Sequence, residues 1–356
     1  MRGIEGYGVL IPQNRISVDE IYSEWCFLLP PNSIRVLSGA TERAVNNWDE
    51  DPVTMAGEAA MAAIEMAGVS PKNIEALYFG SFTNPYVTKS SGAAVAEIVG
   101  MGPEIMCADC QFGGKSGTAA IQICLGLIGS GMIRKGLAIG SDSFSRHIAP
   151  NTFMEYLASA GAAAFVLGNE KVVAEIEGTF SYTTDTADFF RVDGDRYLRR
   201  GVSEEEQDIG YNEHIKNAAR GFFKKFKKTA QDYQYAVFNQ NTGRLPFVVG
   251  KELGFQEGAI KPGVLADRIG DCGSASPLIS LAHVLDMSKP GDRIFVASYG
   301  YGASSDILSL RVTEQIEEAR QRRKDHPSIA AQIDDKIEVD YKTYLRLERK
   351  IIQEYL

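Results

Sequence analysis

The chain reads as one α/β unit written twice, and this duplication constrains its fold more than any other feature. In the first copy Asp51 is placed to cap a helix with Pro52 at its first position, followed by the Ala/Met-rich run Val53–Ala67. A short apolar strand comes next at Glu75–Ser81. The turn Gly113-Gly-Lys-Ser-Gly117 then opens a helix over Thr118–Leu127, and apolar strands at Gly136–Gly140 and Gly161–Gly168 close the unit. The second copy keeps the order: helix Tyr211–Asp232, strand Tyr235–Gln240, turn Gly270-Asp-Cys-Gly-Ser274, helix Ala275–Asp286, strand Arg293–Ser298 and closing strand Gly302–Leu310. Short, continuously apolar strands alternating with helices belong to sheets covered on both faces. The expected architecture is an internally duplicated α/β fold with a pseudo-twofold axis, residues 1–170 forming one half and 171–313 the other.

Residues 314–356 differ in character, being dense in both acids and bases and interrupted by Pro327. Ile337, Val339, Tyr341, Tyr344 and Leu345 give this charged helical tail an apolar surface that the repeats do not require. It reads either as a solvated terminus or as a docking element for a partner.

Composition narrows the function classes. Lys plus Arg is 37 against 46 for Asp plus Glu, a net charge of −9 in 356 residues, which disfavours nucleic-acid binding. The start, Met1-Arg2-Gly3-Ile4-Glu5, lacks the pattern of a secretion signal, and no apolar run is long enough to span a bilayer. Five cysteines, an odd number in a chain able to bury its own core, argue against a disulfide framework. A cytoplasmic protein without membrane contact is expected.

The duplicated order and the turn-to-helix at Gly113–Thr118 resemble the thiolase superfamily, with its five-layer αβαβα fold. Within it, the chain is similar to 3-hydroxy-3-methylglutaryl-CoA synthases of the archaeal kind. The likeness rests on Gly6–Pro12, Asp49–Met55, Phe79–Tyr86, Asp188–Tyr197 and Lys289–Ile294, and it runs in order from about residue 3 to 312.

The resemblance also locates a departure. The family's nucleophilic cysteine sits in a motif resembling Phe-Ala-Cys-Lys-Ala-Gly-Thr, and here Phe112-Gly-Gly-Lys-Ser-Gly-Thr118 puts Gly114 at that position. The family's His-Gln-Pro-Asn-Gly-Lys motif is matched by Asn239–Arg244, so Asn239 stands at the histidine and Arg244 at the basic residue expected on the CoA or pantetheine side. Phe82 stands where the general acid/base glutamate belongs, and Asp271 matches the asparagine of the second glycine-rich turn. Glycine offers no thiolate, and neither an asparagine amide nor a phenyl ring titrates, so the family's route through an acyl-cysteine is closed.

Other candidates are weighed on their surroundings. Cys110 is either a relocated nucleophile or a small buried apolar residue. Cys107-Ala-Asp-Cys110 is a CxxC without a second pair or a histidine pair, so no metal site is expected. Cys272 lies in the second glycine-rich turn. Of the four histidines, only His147, in the loop Ser143–Ile148, has a route to a pocket. Lys224-Lys-Phe-Lys-Lys228 reads as a solvated helix face or a site for a CoA phosphate. Gly113–Gly117 fails the P-loop spacing.

A finer resemblance, in Thr41–Ala44, Thr83–Tyr86, Gly114–Thr118 and Ser298–Ala303, is to the synthase-like subunit of the bacterial diacetylphloroglucinol acyltransferase complex. It implies a catalytically inactive structural subunit working with a thiolase-like subunit and an OB-fold, zinc-binding subunit. On that reading the chain binds no cofactor itself, and CoA or an acyl thioester is handled in the complex. Two alternatives stand beside it. One is an active acyltransferase or synthase-like enzyme with a site rewired through residues such as Cys110, Asp271 or His147. The other is a stand-alone homodimer that binds CoA or a polyketide-like ligand. The apolar segment Ile105–Phe112 is the expected self-pairing edge.

Overall fold

The computed structural model describes residues 1–25, 30–201 and 204–351. Nine strands form one sheet: β1 (Gly3–Leu10), β2 (Ala76–Gly80), β3 (Met106–Cys110), β4 (Gly136–Ser143), β5 (Ala160–Gly168), β6 (Ala174–Thr183), β7 (Tyr235–Phe238), β8 (Arg293–Ala297) and β9 (Ser304–Val312). Their order is β7-β8-β9-β6-β1-β5-β4-β2-β3. Read outward from the middle, β1-β5-β4-β2 and β6-β9-β8-β7 repeat one pattern: two antiparallel pairings, then a parallel one. Within this sheet the halves pair where Gly3 and Ile4 meet Glu175 and Ala174. The duplication expected from sequence is therefore present. Among the described residues, β3 has no counterpart in the second half and stays an edge, with Met106, Cys107 and Ala108 exposed.

Helices fill the layers. The helix α1 (Pro52–Ala67) begins where Asp51 accepts hydrogen bonds from the amides of Val53 and Thr54 while Thr54 Oγ1 accepts from the Asp51 amide, a complete capping box. Its alanine-rich face lies on β1, β5 and β4, close enough that a Cβ at Gly8 would stand 2.2 Å from the Ala59 carbonyl. The helices α2 (Ser116–Ser130) and α3 (Ser276–Met287) are the corresponding central helices of the two halves. They follow the two glycine-rich turns, and both contribute to one apolar core with Ile121, Cys124, Leu278 and Leu281. On the far side of the second half, α4 (Glu204–Phe226) covers β6 and β9 and buries Tyr211, Ile215 and Phe222.

The tail uses its apolar residues within its own chain. Residues Ile337–Glu338 pair in parallel with Asn14–Arg15, and α5 (Tyr341–Leu347) buries Tyr341, Tyr344 and Leu347. Tyr341 and Tyr344 both donate to Oε1 of the buried Glu155, at 2.9 and 3.1 Å, and the Arg43 guanidinium lies 4.5 Å from the Tyr344 ring centre. The described tail is therefore neither a solvated terminus nor a free apolar stripe, although Ile337 stays exposed. Residues 352–356 of that segment lie outside the described residues.

Candidate active site

Both glycine-rich turns arrive at one place. Ser116, the first residue of α2, donates through Oγ to Ser274 Oγ at 2.7 Å, and a Cβ at Gly117 would lie 2.9 Å from the Ser274 carbonyl. Asp142, at the end of β4, ties the turns to the loop after β2. Its Oδ1 accepts from Ser81 Oγ, the Phe82 and Thr83 amides and Thr83 Oγ1, and its Oδ2 accepts from the Ser274 amide at 2.7 Å. Five donors fix this carboxylate, so the loop bearing Phe82 and the turn bearing Asp271 hold a set distance.

Each position singled out from sequence has a definite setting. Gly114 has φ +84°, and a Cβ there would sit 2.4 Å from the Tyr299 carbonyl oxygen. Position 114 is glycine for backbone reasons as well as lacking a thiol. Phe82 packs edge-on to Phe144 and Tyr301, with ring centres 5.1 and 6.2 Å away. Asn239 is fully buried, and its Nδ2 donates to Asn241 Oδ1 at 2.7 Å.

Asp271 is the one titratable group of the family-matched set. Burial raises its carboxyl to about 7, against the opposing hydrogen bonds from the Gly273 amide, Tyr301 and Ser276. Tyr301 Oη donates to Asp271 Oδ2 at 3.2 Å, and burial beside that carboxylate holds the phenol protonated, well above its ordinary range. Tyr301 also lines a cavity of about 140 Å³ with Phe82, Gly113, Phe189 and Leu198. A chamber of about 220 Å³ shares Phe189 and Leu198 with it and adds Phe153, Met154 and Arg200. A third, of about 70 Å³, shares those three and reaches Asn241, Thr242 and the exposed Arg244. The lining thus runs from Arg244 and Arg200 at the surface to Tyr301 and, behind it, Asp271.

The remaining candidates fall elsewhere. Cys110 is half-buried on the edge strand β3, and burial and Asp109 raise its thiol above the ordinary range. In a strand, Cys107 and Cys110 point to opposite faces, so the CxxC does not converge. Among the described residues no group of three His, Cys, Asp or Glu side chains converges to hold a metal. Cys272 is buried, donates to the Ala160 carbonyl and is pushed up to about 12, which leaves it a thiol. Burial lowers His147 to about 4, and it lines a different cavity. Lys224, Lys225 and Lys227 are exposed, and Lys228 lies 3.9 Å from Glu177.

Sequence reasoning missed Tyr301 and Asp142. Tyr301 lies in a segment, Ser298–Ala303, whose pattern was noted for resemblance alone, and nothing local links it to a residue 30 positions earlier.

Comparison with known proteins adds identity to this geometry. No family model matches the chain. The Methanopyrus kandleri hydroxymethylglutaryl-CoA synthase is 42% identical over 349 residues, covering 98% of this chain and 97% of the relative. The Methanocaldococcus jannaschii synthase is 41% identical over 351 residues, covering 99% of each. In structure the chain is similar to MvaS in complex with 3-hydroxy-3-methylglutaryl coenzyme A (TM-score 0.88, 21% identity, 99% of this chain and 92% of that one). It is also similar to an HMG-CoA synthase complexed with CoA (TM-score 0.86, 16% identity, 99% and 91%). These findings bear out the thiolase-like fold and overturn the expectation of an inactive structural subunit, because full-length relatives at about 41% identity are named as synthases. The rewired enzyme fits them better.

Proposed function

The chain belongs to the hydroxymethylglutaryl-CoA synthase family, and we propose that it is an active acyl-thioester condensing enzyme whose proton chemistry is moved to Asp271 and Tyr301. The observation behind this reading is a buried carboxylate held at about 7 and linked through one phenol to a cavity. Solved relatives hold CoA or HMG-CoA, and the track from Arg244 and Arg200 inward suits a CoA thioester entering phosphate-end outward.

Ionised Asp271 takes the Tyr301 proton as Tyr301 takes one from the carbon next to the donor thioester carbonyl. The resulting enolate attacks the ketone of a 3-ketoacyl thioester. One C–C bond forms, and the alkoxide takes its proton back through Tyr301. Water then cleaves one C–S bond and CoA leaves as the thiol, so the overall balance is that of a hydroxymethylglutaryl-type synthase. No acyl group is carried on the protein, since position 114 has neither a thiol nor room for one. The likeness to the diacetylphloroglucinol subunit makes a phenolic ring carbon the second acceptor to assay. Self-pairing through the exposed edge β3 is part of the same proposal.

The test is turnover of acetyl-CoA plus acetoacetyl-CoA, followed by mass detection of product, with Asp271→Asn and Tyr301→Phe alongside. Product from the wild type and its loss by ~100-fold or more in either variant is expected from the usual contribution of general acid–base groups. Product formed equally by all three proteins refutes the assignment.

A further inference from the structure

A further cavity, of about 280 Å³, is lined by Thr83, in the loop after β2, and by Ser143, the last residue of β4. Its wall combines Arg146 from the loop after β4, Arg196 from the segment before Arg199–Arg200, and Glu348–Arg349 from the end of the tail. Arg146 is nearly buried, its side chain 11% exposed. Its Nε has no hydrogen-bond partner among the described residues, because Glu348 Oε2 is 3.8 Å away and makes no hydrogen bond either. A buried guanidinium donor left open costs free energy until an acceptor fills it.

Three arginines line the cavity alongside two acidic residues, Asp51 and Glu348, both of whose carboxylates are partly engaged by backbone amides. Asp51 accepts from Val53 and Thr54, and Glu348 Oε1 accepts from Asn46 at 3.2 Å. His147, pushed down to about 4, adds no charge near neutral pH, and its Nδ1 is 3.1 Å from the Arg196 carbonyl oxygen. Arg196 and Arg349 are exposed at the rim, and Arg196 donates to the Arg349 carbonyl, which sets the two rim arginines side by side. Arg349 has φ +55°, the left-handed conformation usually taken by Gly or Asn past a helix end, so an arginine here is held at a conformational cost.

We propose that this cavity is a binding site for a phosphoryl dianion, gripped by Arg146 from within and by Arg196 and Arg349 at the rim. Arginines brought to one cavity from three chain segments suit the several oxygens of a tetrahedral anion. The site is separate from the Asp271 chamber and does not depend on the proposed reaction. Binding there joins the tail to the Thr83 and Arg146 segments, so the ligand also clamps the tail.

Calorimetric titration of the whole chain with inorganic phosphate and with glycerol 3-phosphate tests this, using sodium chloride at matched ionic strength as control. One saturable site per chain is expected for at least one of the two, with the ester binding more tightly if a phosphomonoester is the ligand. Arg196→Gln and Arg349→Gln, both exposed, should each weaken binding about tenfold without changing the melting temperature in buffer alone. Arg146→Gln should abolish it, and if that variant fails to fold the rim variants decide. Absence of saturable binding for both compounds, or binding unchanged in both rim variants, overturns the proposal.

Discussion

Replacing Asp271 with asparagine, the residue that the family resemblance places in this turn, is the sharpest test of the site's electrostatics. Asp271 has an ordinary value of 3.8 and is raised to about 7 by burial. A carboxyl raised in the folded state holds a proton that the unfolded chain releases. The folded protein therefore loses stability as pH rises from about 4 to about 7, and the penalty is complete above that. At 1.36 kcal/mol per pKa unit, the interval between those two values is worth ~4 kcal/mol. Asparagine removes the charge and retains an oxygen to accept the Gly273 amide now bonded to Asp271 Oδ1 at 2.9 Å. Urea unfolding of both proteins at pH values from about 5 to about 8 reads the effect, since titrations of groups not coupled to Asp271 cancel in the difference. The variant should gain on the wild type by up to ~1.4 kcal/mol per pH unit across the interval, then run parallel to it above about pH 7. Parallel curves throughout would mean that Asp271 ionises normally, and the relay would have no base matched to neutral pH.

Further outcomes follow from particular contacts. Gly114→Ala should destabilise by ~1–3 kcal/mol in urea melts, because it adds a Cβ against the Tyr299 carbonyl at φ +84°. Gly114→Cys carries the same strain and should not gain a stable acetyl adduct by intact mass. Lys115→Met leaves Asp306 buried without its 2.8 Å partner and should cost ~3–5 kcal/mol by denaturant unfolding, with partial recovery in the double variant carrying Asp306→Asn. Tyr344→Phe removes one of two tyrosine donors to buried Glu155 and should cost ~1–3 kcal/mol, which a solvated tail would not register.

How much was legible in the sequence varied with how local the signal was. The cap at Asp51 is written within a few residues, and α1 starts there. The glycine-rich turns were legible for the same reason. The strand β6 was not, since Glu175, Glu177, Thr179 and Ser181 give it a polar face that hides its role as the strand joining the second half to β1. Nor was the tail's docking, which depends on Arg43 and Glu155, two buried charges far away in sequence. At the site, the missing cysteine, histidine and glutamate were readable position by position. The pair proposed in their place was not, because Asp271 meets Tyr301 across two loops, and its raised value comes from burial that no motif records. That gap is why the expectation of an inactive subunit failed against the synthase relatives.

The central claim is turnover through Asp271 and Tyr301 without an acyl-enzyme. The most direct measurement is the pH dependence of kcat for condensation of acetyl-CoA with acetoacetyl-CoA, with intact mass recorded during turnover. The account predicts a rate that rises with pH through an apparent value near 7, as the Asp271 carboxylate forms, and a protein mass unchanged throughout. A stoichiometric acetyl adduct on Cys110 or Cys272, or a rate flat across that range and retained in Tyr301→Phe, would contradict it.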